Sequence, residues 1–249
     1  MKKWHERLQV DGVNRIQDGE WHDVFGDRCM ILDCPTKEKW LELRRSFICA
    51  SESACLLGLG FHTNFAIWRD KTGVEPIVVE DNEVMRKGRD NEALSREQFA
   101  IDHDCKVLDG TNKLVVDLEH EDKDGYPFMA ATFDAIGIGA DGNPFDIEFK
   151  RSESYKLFSS PDEMPDKYRA QVIKQMVVGG FNLACLHARV VNTSPYDPRV
   201  KKIYERDYWL DASTDDVSYD MEKLVEVETK FWNEHVLTNI PPATVLPRL

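Results

Sequence analysis

Three charged residues near the middle of the chain have the types and spacing that metal-assisted hydrolysis uses. Asp134 ends the apolar run 128–133, Glu148 follows fourteen residues later, and Lys150 comes two positions after Glu148. In a β-strand Glu148 and Lys150 point to one face of the sheet, whereas Phe149 between them points to the other. If the two strands pair across the turn that separates them, Asp134 lies beside Glu148.

Two carboxylates held this close resist joint ionisation unless a cation neutralises them. Ligand sets made only of oxygen atoms favour Mg²⁺ or Mn²⁺ over zinc. Lys150 beside such an ion can orient an attacking water and stabilise charge that develops on a phosphate. An ordinary surface ion pair is the alternative, since charged residues alternate on many exposed strands. The apolar flanks favour a site, because a lysine and a carboxylate on an inward face are costly to bury without a function.

The rest of the sequence predicts the elements that must hold these residues. Periodicity and turn residues indicate helices over 37–46, from 50 to 58 or 60, and over 83–103, 166–180 and 219–237, with strands over 113–117, 128–133, 145–150, 181–191 and near 202–210. This order is typical of a mixed α/β (α+β) domain with one central sheet flanked by helices. We expect one domain over 1–249, with an N-terminal extension (1–36), a core (37–210) and a C-terminal helical segment (211–249).

The composition excludes several classes of protein. With 249 residues, of which 42% are hydrophobic and 31% charged, the chain has the make-up of a folded globular protein. It has no apolar stretch of about 18 residues that would span a membrane, and its polar N-terminus lacks the apolar core of a signal peptide. None of the six cysteines forms a CxxC pair. This disfavours a zinc site and predicts reduced, mostly buried thiols in a cytoplasmic protein.

The net charge of −13 at first disfavours nucleic acid, which binds to basic surfaces. The excess acid is concentrated in two segments, however. Segment 102–124 has eight acids and three lysines, and segment 205–228 has nine acids and two basic residues. The rest of the chain is close to neutral, so the net charge does not exclude a locally basic surface for nucleic acid, with both acidic segments pointing away from it.

Four motifs in a fixed order resemble a known family of nucleases. Residues 133–135 (Phe-Asp-Ala) and 147–150 (Ile-Glu-Phe-Lys) resemble the core of the PD-(D/E)xK superfamily, with Phe133 where the family has proline. The other motifs are Trp40 to Arg44 followed by Cys-Ala-Ser-Glu at 49–52, Gly88 to Glu92, and Tyr168 to Met176 around Gln171. Over about residues 37–190 the chain is similar to the lambda-exonuclease/YqaJ-type phage recombination nucleases, which implies a restriction-endonuclease-like core.

The resemblance implies a role for each matched acid and for the lysine. Asp134, Glu148 and the main-chain carbonyl of Phe149 would bind the catalytic metal, and Lys150 would position or activate the water that attacks the phosphodiester. Glu92 would complete the acidic cluster by holding a metal-bound water or a second ion. One or two Mg²⁺ (or Mn²⁺) ions are therefore implied.

The resemblance also implies a role for Gln171, whose amide would face the attacking water or the phosphate. Glu92 and Gln171, which both lie on predicted helices, could also have ordinary structural roles. Glu92 can pair with Arg96 or Arg89 along its own helix, and a glutamine on a helix is usually just solvated.

Arg44 and Ser51 would hold the 5′-terminal phosphate of the substrate. Ser51 lies near the start of a predicted helix, where free N–H groups favour an anion, and Arg44 offers a two-pronged donor. The alternative is that Ser51 or Ser53 simply caps the helix, and the two roles are compatible.

The resemblance thus implies a Mg²⁺-dependent 5′→3′ exonuclease that degrades double-stranded DNA from its ends. It would leave 3′ single strands for homologous recombination by single-strand annealing. It also implies an annealing protein as partner and a homo-oligomer such as a trimeric ring, without a membrane. Two alternatives stay open: another PD-(D/E)xK DNA endonuclease, and a non-catalytic module that binds DNA ends.

Overall fold

The computed structural model describes residues 12–78, 83–153, 155–160, 162–193 and 201–246. Its helices are α1 (Gly19–Phe25), α2 (Lys37–Arg44), α3 (Ala50–Leu56), α4 (Asn64–Lys71), α5 (Glu83–Asp102), α6 (Asp166–Gly179) and α7 (Asp215–Phe231). A π-helical turn (Trp232–Val236) extends α7, and 3₁₀ turns cover Gly26–Arg28 and Tyr155–Phe158.

The strands form two five-stranded sheets. The first sheet has the order β1 (Asn14–Ile16), β2 (Cys29–Asp33), β5 (Lys113–Asp117), β6 (Met129–Ala131) and β3 (Ile48–Cys49). The second sheet has the order β10 (Lys201–Asp211), β9 (Leu183–Thr193), β8 (Pro144–Ser152), β7 (Ala135–Ile138) and β4 (Lys106–Asp109). Each sheet is antiparallel except for one parallel pair, β3 with β6 and β8 with β9.

The predicted mixed α/β architecture with flanking helices is confirmed, but the strands occupy two sheets where the sequence pattern indicated one. The predicted strand 128–133 ends early, and β7 then begins in the second sheet. Gly110 lies against the connecting segment 132–134, and a Cβ at this glycine would come within 1.8 Å of the Phe133 carbonyl oxygen. Only a residue without a Cβ allows this approach. At this point the chain crosses between the sheets twice, before β5 and before β7.

Helices α5 and α6 cover opposite faces of the second sheet. Phe99 of α5 packs against residues 145, 147 and 149 of β8, whereas Val172 and Met176 of α6 pack against β9. Because side chains alternate along a strand, the intervening positions of β8 face α6. They form a polar row, Asp146, Glu148 and Lys150.

The C-terminal part of the chain returns to the core. The helix predicted over 219–237 begins earlier, at Asp215, and packs against α6. Beyond it, the Asn64 side-chain amide of α4 donates a hydrogen bond of 2.8 Å to the Ala243 carbonyl. Along the described parts of the chain, no helix combines the length and apolar character that crossing a membrane requires.

Candidate active site

Asp134, which directly precedes β7, is a neighbour of Glu148 on the paired strand β8. β7 and β8 pair antiparallel with Ala135 opposite Ile147, which brings positions 134 and 148 side by side. The backbone N–H of Phe149 donates a hydrogen bond of 2.9 Å to Asp134 Oδ2. The strand pairing that the sequence spacing required is therefore present, and Asp134 lies in the segment that crosses between the sheets.

Glu148 is a buried carboxylate surrounded by hydrogen-bond donors. Lys150 Nζ and Gln171 Nε2 both donate to Oε1, the latter at 2.6 Å. Gln175 Nε2 donates to Oε2 at 2.6 Å and to the Thr132 carbonyl at 3.0 Å. The sequence pointed to Gln171 more strongly than to Gln175, yet the two amides, one turn apart on α6, hold the same carboxylate.

Asp146 is an acid beside this site that the sequence interpretation missed. Its side chain is fully buried, and neither of its carboxylate oxygens accepts a well-formed hydrogen bond from the described residues. Strand alternation places Asp146 on the face of Glu148 and Lys150, which was the available signal. Alternation indicates a face but not the depth of burial, so the signal was incomplete.

The cluster holds more acid than base, since three carboxyl groups surround the single ammonium of Lys150. Burial, reinforced by the charge of Glu148, raises the pKa of Asp134 and of Asp146 well above the ordinary aspartate value. Burial alone would lower the pKa of Lys150, but Glu148 and Asp134 raise it. Lys150 is therefore protonated at neutral pH. The two aspartates hold protons more readily than usual, and a bound cation could take the place of those protons.

Glu92 on α5 lies close enough to the cluster to raise the pKa of Asp134 further, after the larger effects of burial and Glu148. The alternative for Glu92 is an ion pair with Arg96 or Arg89 on its own helix. The Arg96 guanidinium lies 3.4 Å from the Asp109 carboxylate, and the side chain of Arg89 is outside the described residues. The acid is thus near the site that the motif predicts for it.

The donor atoms present suit a hard divalent cation. Among the described residues, no three His, Cys, Asp or Glu side chains converge as a ready-made metal site. Mg²⁺ commonly binds through one or two carboxylates, with water and substrate phosphate completing its octahedron. Asp134, Glu148 and the Phe149 carbonyl could therefore hold Mg²⁺ or Mn²⁺, whereas zinc would lack its nitrogen or sulfur ligands.

Arg44 and Ser51 line a second pocket and contact each other directly. Arg44 Nη2 donates a hydrogen bond of 2.6 Å to Ser51 Oγ, and the guanidinium carbon lies 4.3 Å from the centroid of the Trp40 ring. Lys37 and Arg45 also line this pocket, whose volume is about 380 Å³. A cationic pocket of this size suits a terminal phosphate with part of its nucleotide.

Neither serine caps α3, so that alternative for Ser51 and Ser53 is wrong. The N-cap residue is Cys49, and its backbone N–H donates a hydrogen bond of 2.8 Å to the Glu52 carboxylate. The helix begins too early for either serine to reach the free N–H groups of its first turn. Ser51 is exposed in the pocket, and Ser53 is fully buried.

Lys71 supports the pocket from below, and nothing in the sequence indicated it. Its side chain is fully buried. Its Nζ donates to the Arg44 carbonyl at 3.0 Å and to Glu52 Oε1 at 2.8 Å. These bonds join the end of α2 to the first turn of α3 and thereby fix the segment that carries Arg44 and Ser51.

A buried polar network joins the pocket helix α3 to the catalytic helix α6. Ser53 Oγ donates a hydrogen bond of 2.5 Å to Glu228 Oε1 of α7, and Lys174 Nζ of α6 binds the other carboxylate oxygen. All three side chains are at most 1% exposed, and burial raises the pKa of Glu228. Lys174 lies between Gln171 and Gln175 in the sequence, so the network ties α3 and α7 to the helix that carries the two glutamines.

Comparisons with known proteins agree with this geometry and confirm the resemblance seen in the motifs. A family model described as a YqaJ-like viral recombinase domain matches residues 39–182. The uncharacterized protein YqaJ of Bacillus subtilis (strain 168) is 28% identical over 217 residues, which cover 84% of this chain and 59% of that protein. The chain thus spans about three fifths of the length of this relative.

Solved structures show a similar fold. The structure of LHK-Exo in complex with dAMP matches with a TM-score of 0.52 and 15% identity, over 82% of this chain and 94% of that one. A second structure, an alkaline exonuclease (LHK-Exo) from Laribacter hongkongensis, matches with a TM-score of 0.49 and 16% identity, over 82% and 97%.

Proposed function

Since the chain belongs to the YqaJ-like viral recombinase family, we propose that it is a metal-dependent 5′→3′ exonuclease of double-stranded DNA, which leaves 3′ single strands for phage-type recombination by annealing. One observation carries the proposal. Asp134, immediately before β7, lies beside Glu148 of the paired strand β8, with the protonated Lys150 bound to Glu148. This arrangement suits the metal-assisted hydrolysis of a phosphodiester by water.

Asp134, Glu148 and the Phe149 carbonyl would hold one Mg²⁺ or Mn²⁺, and Glu92 would hold a bound water or a second ion. The bound cation would supply positive charge at the scissile phosphate and a more acidic water. Gln171 and Gln175 keep the Glu148 carboxylate in one orientation through bonds of 2.6 Å each.

Lys150 orients the attacking water and stabilises the charge that grows on the phosphate. In the protein without metal, Glu148 and Asp134 raise the pKa of Lys150, which suits it to act as a cation and hydrogen-bond donor. Its side chain is 24% exposed, against 2% for Glu148. The ammonium group therefore remains within reach of substrate.

The Arg44–Ser51 pocket is proposed to bind the 5′-terminal phosphate of a duplex. Its cationic lining suits a phosphate dianion, and a pocket for a chain end is useful to an exonuclease and not to an endonuclease. Lys71 holds the pocket in shape through the Arg44 carbonyl and Glu52.

The partners and organisation are proposed on the same basis. The protein would act on DNA ends, hand the 3′ strand to a single-strand annealing protein, and form a ring-shaped homo-oligomer such as a trimer. We propose that 1–249 acts as one domain, because Glu228 of the segment 211–249 is bonded inside the core of 37–210. The expected place of action is the cytoplasm of a bacterium or an infected cell.

Digestion of matched DNA substrates tests the proposal. Linear duplexes with and without a 5′ phosphate, and a closed circle, are incubated with Mg²⁺ and either the wild type or Lys150→Ala. We expect rapid loss of the 5′-phosphorylated strand, an intact circle, and no digestion by the variant. Nicking of the circle by the wild type would instead identify an endonuclease, and undiminished digestion by Lys150→Ala would remove the catalytic assignment.

A further inference from the structure

A small cationic cleft adjoins the candidate active site, between α5 and the carboxyl ends of β8 and β9. We call it the arginine cleft; its lining includes Arg151, Arg189, His187, Ser95 and Glu92. Its volume is about 30 Å³, enough for a water or for oxygens of one phosphate group. Phe149 and Lys150 line it too, so together with Glu92 they place the cleft beside the candidate metal site, on the α5 face of the sheet.

Two arginines lie side by side in the arginine cleft. Arg151 and Arg189 are register partners on the parallel strands β8 and β9 and point to the same face of the sheet. Their side chains are only 13% and 19% exposed. Like charges directly opposite each other on neighbouring strands are unfavourable, and low exposure increases the cost.

The acidic partners of these arginines are weak. Arg151 lies 3.3 Å from Glu153 and Arg189 lies 3.4 Å from Glu205. These carboxylates are 54% and 36% exposed, and ion pairs with exposed partners contribute little. The cleft lining sets these two guanidinium groups against one carboxylate, that of Glu92, so positive charge is in excess there, which favours a bound anion between the arginines.

The other polar groups of the cleft are compatible with an anion at the arginines. Ser95 is buried and has a hydroxyl group that can donate. His187 Nδ1 lies 2.7 Å from the Asp207 carboxylate, which fixes the ring on the same face as Arg189. Glu92 is an acidic lining residue, and its charge acts on Asp134 at the catalytic end.

We propose that the arginine cleft binds a backbone phosphate of the DNA strand that is being cut, next to the phosphate held at the catalytic residues. Guanidinium groups match phosphate oxygens through paired hydrogen bonds, and the presence of Phe149 and Glu92 in the cleft lining selects a phosphate of the same strand, next to the proposed metal site. The inference rests on the proposed nuclease function and adds a subsite that keeps the strand in register.

Binding of a 5′-phosphorylated duplex, with Ca²⁺ replacing Mg²⁺ so that the DNA stays intact, tests the subsite. The variants are Arg151→Gln, Arg189→Gln and their combination, with Lys223→Gln on exposed α7 as the matched control. We expect Kd to rise about tenfold for the double variant. The slope of log K against log salt concentration should fall by about one, as for the loss of one phosphate contact, and the control should not change.

Neutral phosphates in the DNA test the same contact without altering the protein. A methylphosphonate is placed in turn at each of the first four phosphodiesters of the cut strand. One position next to the scissile phosphate should weaken binding by the wild type, and the same position should have no further effect in the double variant. This coupling identifies the phosphate, and the wild-type scan stands even if the double variant fails to fold.

Three outcomes would overturn the proposal. The first is unchanged affinity and salt slope in the folded double variant. The second is a methylphosphonate scan in which no internal position couples to the arginines. Inorganic phosphate that stabilises the wild type against heat, with no coupling in the scan, would show a free-anion site and also overturn it. Failure of the wild type to cut DNA at all would contradict the proposed function itself, so the two failures are distinguishable.

Discussion

Helix α6 contacts two buried ionic clusters that look alike in composition but differ in charge balance. Each cluster has a glutamate bonded to a lysine, Glu148 to Lys150 and Glu228 to Lys174. In the catalytic cluster two further carboxyls, Asp134 and Asp146, surround the single lysine. In the α7 cluster one lysine and the Ser53 hydroxyl match one glutamate.

The difference teaches which observation marks a functional site. A buried Lys–Glu pair by itself is compatible with a purely structural role. Burial, reinforced by the charge of Glu148, raises the pKa of two aspartates at once, so these acids hold protons that a cation could replace. Such a surplus of carboxyl groups is expected where a cation is to bind.

The largest effect is expected from removing the catalytic lysine. Lys150→Met should lower the exonuclease rate by about 1,000-fold or more, because it removes a preorganised positive charge at the reacting phosphate. The fold should persist, since the ammonium is partly exposed. Single-turnover digestion together with circular dichroism measures both, and exposed Lys223→Met serves as the control. Residual activity within tenfold of wild type would place Lys150 outside the chemistry.

Removing Lys174 from the α7 cluster should have the opposite effect: stability should fall while the catalytic activity remains. Lys174→Met should lower the free energy of unfolding by about 3–5 kcal/mol, because it leaves Glu228 buried without its counter-ion. Urea unfolding measures the loss. The double variant Lys174→Met/Glu228→Leu should recover much of it, and the single variant should still cut DNA at a temperature where it is folded. Loss of activity with unchanged stability would reverse the comparison.

Divalent ions should distinguish the two clusters directly. Mg²⁺ at about 100 times its Kd should stabilise the wild type by about 2.7 kcal/mol, since it binds only the folded state. Glu148→Gln should abolish this gain, whereas Lys174→Met should retain it on a lower baseline. Thermal unfolding with Mg²⁺ and with EDTA measures the difference. Equal stabilisation of Glu148→Gln would show that the ion binds elsewhere.

A substitution in the Arg44–Ser51 pocket should change the binding of DNA ends without affecting either ionic cluster. Arg44→Ala should reduce the preference for 5′-phosphorylated over 5′-hydroxyl ends by about tenfold or more, as for the loss of a charge-assisted hydrogen bond of about 1.5–3 kcal/mol. Stabilisation by Mg²⁺ should be unaffected. Competition between the two kinds of end provides the measurement, and an equal loss on both would contradict the assignment.

Asp117 is a further buried carboxylate. Its substitution is expected to have the smallest effect on stability and the clearest dependence on pH. Burial would raise the pKa of Asp117, but hydrogen bonds from His120 and from the Glu119 backbone N–H, the latter 2.8 Å long, hold it below the ordinary value. Because the pKa is lower in the folded state, the stabilisation is present above about pH 4 and is lost as pH falls through the folded pKa.

Asp117→Asn tests this sign. It should cost about 1.5 kcal/mol at pH 7, and the difference from wild type should shrink as pH falls towards 2. Urea unfolding across this range measures it, with the exposed Asp215→Asn as a control. A difference in unfolding free energy that grows as the pH falls would contradict the lowered pKa of Asp117 in the folded protein.

Local patterns predicted those parts of the molecule that depend on neighbours in sequence or on strand pairing. Alternation along β8 and the spacing to Asp134 were enough to predict the carboxylate pair with Lys150, and the motif order was enough to identify the family. The contact of Arg44 with Ser51 spans only seven residues. The roles of these residues remain predictions that the experiments above address.

The features that were not predicted depend on distant contacts. At the crossing between the two sheets Gly110 closely approaches the Phe133 carbonyl, and no periodicity in the sequence predicts this contact. Lys174 and Glu228 are 54 residues apart, and Ser53 and Glu228 are 175 apart. The residue pattern within one segment contains no information about partners that are distant in sequence. From the sequence alone, the members of this buried ionic network therefore look like ordinary residues on exposed, charged helix faces.

The position of Glu228 on α7 has a consequence for how relatives of this protein can exchange parts. A chimera joined near residue 210 would combine one parent's Lys174 and Ser53 with the other parent's helix α7. Unless that helix carries an acid at the position of 228, the lysine would be enclosed without a counter-ion. Shuffled libraries of this family should therefore keep these three positions together as a single inherited unit, although they are spread over most of the chain.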